Sequence, residues 1–223
     1  MLHGALGTKD FCLPLLPLLT PHFQVFSFDF VGHGSHNWQG ETLSIENMAA
    51  QIAHFLQENN LTKPVVFGYS MGGYAAMYLE KTQPQTFASI MTFATIYNWT
   101  PENAQKQVSQ MNWDKIVAKV PHFAQVMQSL HGEKTGNLFA ALSDMLLKMG
   151  ENLPISAEDM SKIQIPVWLG VGDRDTTVTL AETIESYKNL PKSHLFVLPN
   201  VPHPFERADM AGLAMMITKL LPN

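Results

Sequence analysis

Short apolar runs, each ending at a glycine or a turn, alternate along this chain with longer stretches whose apolar positions recur every three or four residues. The first run, QVFSFD at residues 24–29, predicts a buried strand that empties into the glycine-punctuated loop FVGHGSH. Ser44 then offers an N-cap, and Ile45, Met48, Ala49, Ile52 and Leu56 keep helical spacing until Asn59 and Asn60 close the segment. After Pro64, VVFGY at residues 65–69 predicts a second strand, which breaks at once into the helical stretch SMGGYAAMYLEKTQ, stopped by Pro84. Residues 87–94 repeat the strand pattern.

The texture changes after Tyr97. Residues 99–162 are helical in composition, hold five of the thirteen methionines, and carry expected breaks at Pro121, Gly132, Gly136 and Pro154. Alternation resumes past Pro166 with the strand VWLGV, a helix over 180–189, the strand HLFVL and a closing helix from about Arg207 to Leu221. Strand and helix in turn predict an α/β fold with a mostly parallel sheet flanked by helices. Its core is expected to be residues 1–98 and 163–223, with 99–162 inserted as a helical cap.

With 223 residues, one compact domain and its insertion can bury a single large core. Hydrophobic residues at 46% against charged residues at 15% provide enough apolar surface to offset chain entropy. The net charge of −5 and the scattered Lys and Arg leave no basic footprint for nucleic acid or an anionic membrane, so neither partner is expected. Cys12, the sole cysteine, excludes an internal disulfide and reads as a packed thiol. The early apolar stretch from residue 11 to 19 is interrupted by Pro14 and Pro17, and no run reaches the roughly 18 apolar residues of a membrane helix. A soluble, cytoplasmic protein is expected.

The sharpest chemical signal is Gly68-Tyr69-Ser70-Met71-Gly72, followed by Gly73. As a bare G-x-S-x-G pattern it would serve equally as a tight turn with packing glycines. Between a predicted strand and a predicted helix it gains a specific meaning: the serine takes strained backbone angles, small neighbours let strand and helix approach, and Oγ projects above the sheet. The Met71 amide then opens a helix, where an unpaired N–H and the helix dipole favour an anion. A serine hydroxyl is a poor nucleophile alone and needs a base and a carboxylate to orient that base. Gly172-Asp173-Arg174-Asp175 follows the strand VWLGV, and His203 follows the strand HLFVL in the loop Pro202-His203-Pro204. Loops at the carboxyl ends of parallel strands open on one edge, so Ser70, Asp175 and His203 can converge.

These motifs resemble the α/β-hydrolase fold superfamily over nearly all of the chain outside the cap. His3-Gly4-Ala5 looks like its HG loop, DFVGHGS at 29–35 like its D-x-x-G-x-G-x-S turn, GYSMGG like its nucleophile elbow and GDRD like its acid loop. The resemblance implies Ser70 as nucleophile, His203 as base, Asp175 rather than Asp173 as the acid, and an oxyanion hole from the Met71 and Ala5 amides. It also leaves His3 to hold the oxyanion loop and His33 and His36 to shape the loop beside it. Relatives carry strands before the HG loop, whereas only Met1 and Leu2 precede it here; either the fold is reduced at its N-terminal side or the chain is incomplete.

Other chemistries find little support. Gly32-His33-Gly34 lacks the third glycine and helix of a dinucleotide fingerprint, so no cofactor is expected. No pattern at metal-ligand spacing appears, and no metal is expected. A serine at the elbow argues against the family's dehalogenases and epoxide hydrolases, which by resemblance use Asp there. In the cap, Trp99, Met111, Trp113, Phe123, Met127, Phe139 and Met145 supply adaptable apolar surface, mostly for packing and partly for a pocket. The expected partner is a small-molecule acyl substrate, an apolar ester or thioester, although Lys106, Lys115 and Lys119 leave room for a small carboxylate. Two alternatives keep the same residues: a carbon-carbon bond hydrolase or lyase, and a ligand-binding receptor-like hydrolase.

Overall fold

A computed structural model of the chain describes residues 1–221. Four strands, β1 (Val65–Tyr69), β2 (Ser89–Phe93), β3 (Val167–Gly172) and β4 (Ser193–Leu198), form one parallel sheet in that order. The register runs Val65 opposite Ser89, Ile90 opposite Val167, and Val167 opposite Ser193. Because successive side chains point to opposite faces of a strand, the near-continuous apolar runs feed two cores. Val66, Ile90, Val167 and Leu169 join one, and Phe67, Met91, Phe93 and Phe196 the other.

The helices cover both faces. The N-terminal stretch forms a 3-10 turn, Lys9–Leu15, and the short helix α1 (Leu16–Leu19). Helices α2 (Ile45–Glu58) and α3 (Met71–Thr82) pack on the first core through Ile45, Met48, Ile52, Tyr74 and Met77. Ser44 caps α2 as its position predicts, its side chain accepting the Asn47 N–H at 3.1 Å.

Between β2 and β3 the chain builds α4 (Pro101–Ser109), α5 (Trp113–Lys119), α6 (Pro121–His131), a 3-10 turn over Gly132–Lys134, α7 (Thr135–Glu151) and α8 (Ala157–Ser161). Pro121 opens α6 and Gly132, at φ +69°, closes it, as expected of proline at the first helical position and glycine at the end. Gly136 departs from its expected role: it lies inside α7, where a side chain would meet the Trp113 ring at 3.1 Å. Its glycine serves a close helix contact, so no break occurs. Helix α9 (Leu180–Asn189) starts with a capping box of Thr179 and Glu182. The last helix, α10 (Met210–Leu220), begins later than Arg207 because residues 205–207 form a 3-10 turn and Asp209 supplies the cap. Its Leu213 and Ile217, with Leu15 and Leu19, close the second core. None of the described helices is long and apolar enough to cross a membrane.

One predicted strand does not form. Residues 24–29 form no regular element and lie outside the sheet. A strand requires a run of backbone bonds to a neighbour, whereas this stretch accepts one, from the Met1 amine to the Phe26 carbonyl at 2.6 Å. Leu2 in turn bridges β1, its N–H donating to the Phe67 carbonyl at 2.9 Å and its carbonyl accepting from Tyr69 N–H at 3.0 Å. Leu2 thus meets the sheet edge as an isolated bridge, and no ladder joins residues 24–29 to β1. An apolar cavity of about 550 Å³ lies there, lined by Val25, Phe26, Phe28, Val65 and Phe67 among others.

Candidate active site

The turn from β1 into α3 is set by steric necessity at its glycines. A Cβ on Gly68 would sit 2.5 Å from the Gly73 backbone, and one on Gly72 would sit 2.5 Å from the His3 carbonyl oxygen. Only glycine permits that approach. Between them Ser70 holds φ +49° and ψ −117°, a strained conformation for a residue with a side chain. Its backbone is pinned from several directions: Ser70 N–H donates to the Phe93 carbonyl at 2.8 Å, and its carbonyl accepts from Thr95 Oγ1 at 2.9 Å and Tyr74 N–H at 3.1 Å. Surroundings that over-determine a residue in this way can maintain the strain.

At the ends of β3 and β4, the loops bring an acid and an imidazole together. His203 Nδ1 lies 2.8 Å from Asp175 Oδ2, while Asp175 Oδ1 accepts the Thr177 and Val178 N–H groups at 2.8 Å each. With Asp175 accepting all three contacts, the proton of a neutral His203 sits on Nδ1, leaving Nε2 as the acceptor nitrogen. The Asp175 side chain is fully buried, whereas that of His203 is 22% exposed. Asp173 takes a different part, accepting the Asn200 N–H at 2.5 Å and so bracing the loop before His203.

Ser70, His203, Ala5 and Met71 line a single cavity of about 400 Å³. Among the hydrogen bonds of the described residues, none joins Ser70 Oγ to the imidazole; catalytic bonds of this kind often tighten only when substrate binds. Neither the Ala5 nor the Met71 amide is taken by a hydrogen bond among the described residues, and Met71 begins α3, where the helix leaves its first amides unpaired. The remaining walls are mostly apolar and come from between β2 and β3, including Trp99, Met111, Phe123, Met127, Phe139 and Met145. Trp113 is absent from that lining and instead packs on Phe139 with ring centroids 5.0 Å apart. The larger cavity beside Val65 and Phe67 contains none of Ser70, Asp175 or His203. Volume alone therefore points away from the chemistry, and the polar groups identify the smaller space.

Buried histidines hold the backbone on the Gly4 side of the smaller cavity. His3 Nδ1 donates to the Gly4 carbonyl at 2.8 Å and its Nε2 accepts the Phe30 N–H at 3.1 Å. Burial lowers its pKa to about 4, so the ring is neutral near pH 7. His33 is also buried, with burial the main cause of its lowered pKa, and Nδ1 lies 3.1 Å from the Val31 carbonyl. Among the described residues, no group of three or more His, Cys, Asp or Glu side chains could hold a metal ion.

Two contributors escaped the sequence reading. Tyr69 OH donates to the His203 carbonyl at 2.8 Å, tying β1 to the base loop across 134 positions. His131, at the end of α6, contacts the loop that carries Ala5. Neither has a local sequence signal, because each acts on a partner more than a hundred residues away.

Residues 1–162 match the family model for the alpha/beta hydrolase fold. A pimeloyl-[acyl-carrier protein] methyl ester esterase of Xanthomonas campestris is 33% identical over 96 residues, which is 43% of this chain and 36% of that protein. Ethanol acetyltransferase 1 of Hanseniaspora uvarum is 32% identical over 94 residues, 40% of this chain and 27% of that one. The chain thus spans about a third of the length of these curated relatives. Among solved structures, a thermophilic esterase from Thermogutta terrifontis superposes with a TM-score of 0.78 at 19% identity, covering 97% of this chain and 86% of that one.

Proposed function

The chain belongs to the α/β-hydrolase fold family, and from that premise we propose that it is a serine hydrolase acting on a carboxylic ester or thioester of a small to medium apolar substrate. The observation that carries this reading is the meeting of a strained serine and an Asp-oriented imidazole at one apolar cavity of about 400 Å³.

In the proposed cycle, His203 Nε2 removes the Ser70 hydroxyl proton as Oγ attacks the acyl carbon. Electrons move onto the carbonyl oxygen, and the Met71 and Ala5 amides hold that oxyanion. Collapse expels the alcohol or thiol, which takes the proton from His203, and leaves an acyl group on Ser70. Water then attacks in the same way, transferring its proton to His203 and releasing the acid and the free serine. Asp175 stabilises the imidazolium formed in each half without itself taking the proton. Residues 99–162 act as a cap whose apolar side chains receive the acyl or alcohol portion and exclude bulk water. Relatives whose names include an ester hydrolase and an acetyl transferase are consistent with acyl chemistry.

The decisive experiment combines fluorophosphonate labelling with turnover of p-nitrophenyl esters and of carbon-carbon bond substrates. Stoichiometric labelling of Ser70, lost in Ser70→Ala, together with ester turnover is the expected result. Turnover confined to carbon-carbon substrates would replace the reaction class. Single-turnover behaviour with ligand-dependent partner binding would replace the enzyme with a receptor.

A further inference from the structure

The turn bearing the Ala5 amide is gripped at both ends by histidines, one of which comes from the helical insertion. Gly7 N–H donates to the Gly4 carbonyl at 3.1 Å, closing a turn over residues 4–7. Inside it Leu6 adopts φ +61°, a left-handed conformation that leucine rarely takes. His3 donates to the Gly4 carbonyl, as described above. On the other side, the buried His131 places Nε2 3.0 Å from the Leu6 carbonyl and accepts the Gly34 N–H on Nδ1 at 2.9 Å. Only the neutral tautomer with its proton on Nε2 satisfies both contacts.

We propose that His131 is a positioning residue for the oxyanion hole, holding the strained Ala5–Leu6 turn from the cap so that cap placement and the Ala5 amide are set together. The inference rests on the functional reading above. Leu6 stores conformational strain that persists only while its carbonyl is held, and relaxation would shift the neighbouring Gly4–Ala5 peptide. An oxyanion donor acts through its distance to an oxygen that becomes charged in the transition state, so a small displacement costs rate rather than substrate affinity. Lys134, three residues on, donates to the Gly34 and His36 carbonyls at 2.8 and 2.9 Å and braces the adjacent loop with no hydrogen bond to Leu6.

The charged and titratable groups around His131 fit a neutral ring. His33 faces it with ring centroids 5.9 Å apart, and His3, itself 4.9 Å from His33, is uncharged. Lys134 opposes a second positive charge, while Asp29 favours one; burial remains the largest influence and lowers the His131 pKa.

The test compares wild type with His131→Phe, which keeps a ring for packing but loses both hydrogen bonds, and with His131→Gln, whose amide can both accept and donate. With p-nitrophenyl butyrate, kcat of His131→Phe should fall about 10- to 100-fold while KM changes less than about threefold. His131→Gln should recover most of that loss, and Lys134→Met should stay within about twofold of wild type. Should the phenylalanine variant not fold, His131→Asn takes its place: its shorter side chain cannot span both partners, and the same fall in kcat is expected. A folded Phe or Asn variant with wild-type kcat overturns the inference alone. If wild type turns over no ester and Ser70 is not labelled, the reading of the site falls and takes this inference with it.

Discussion

At the scale of single residues, the candidate site is built by denying side chains their ordinary surroundings. Ser70 is held at φ +49°, Asp175 is buried with three hydrogen-bond contacts, and His203 is left with one nitrogen free. Ser70→Ala should lower ester turnover by at least about a thousandfold with little change in thermal midpoint, read by kinetics and calorimetry, because the proposed cycle makes the lost hydroxyl the attacking group. His3 makes a different prediction. Burial pushes its folded pKa down to about 4, below the ordinary histidine value of about 6.5, so the unfolded chain binds the additional proton first. Stability from neutral His3 is therefore complete above about pH 6.5 and declines as pH falls toward 4, by at most roughly 3 kcal/mol. His33 and His131 are shifted in the same direction and steepen the decline. Thermal midpoints measured from pH 7 to 4.5 should fall, and a folded His3→Asn variant should show a shallower slope; an unchanged slope would remove His3 from this account.

At the scale of elements, the elbow is a junction where backbone touches backbone. Gly72→Ala would force a methyl against the His3 and Leu2 carbonyls, and neither can rotate away as a flexible side chain could. A loss of about 1–3 kcal/mol or more in denaturant-derived stability is expected, with activity falling alongside. Tyr69→Phe separates positioning from folding. It removes one hydroxyl bond to the His203 carbonyl, worth about 1 kcal/mol, and should lower kcat several-fold while the ring keeps its packing against Phe205. The element boundaries obey local chemistry: Ser44, Thr179 and Asp209 cap α2, α9 and α10 by side-chain acceptors that any reader of helix signals would seek. Gly136 and residues 24–29 do not, because one is governed by a tryptophan from another helix and the other by backbone pairing with a distant segment.

At the scale of the whole molecule, the segment between β2 and β3 shapes the cavity that the sheet edge opens. Met145 is buried in α7 and lies on the cavity wall, where the proposed reaction would place the acyl chain. Met145→Trp should shift the p-nitrophenyl ester preference toward acetate, and an unchanged chain-length profile would exclude this wall from the acyl site. The sequence by itself determined the alternating fold, the serine turn and the order of serine, acid and base. Those follow from periodicity, from capping, and from glycines that a strand-to-helix elbow demands within five positions. The pairing of His203 with Asp175 also had a readable basis, since parallel strands deliver their following loops to one edge. Tertiary structure alone decided that Tyr69 would fix the base loop, that His131 would reach Leu6, and that residues 24–29 would stay outside the sheet. Each depends on a distance between chain segments far apart in sequence, and such distances are set by the packed whole, where no local pattern of polar and apolar residues records them.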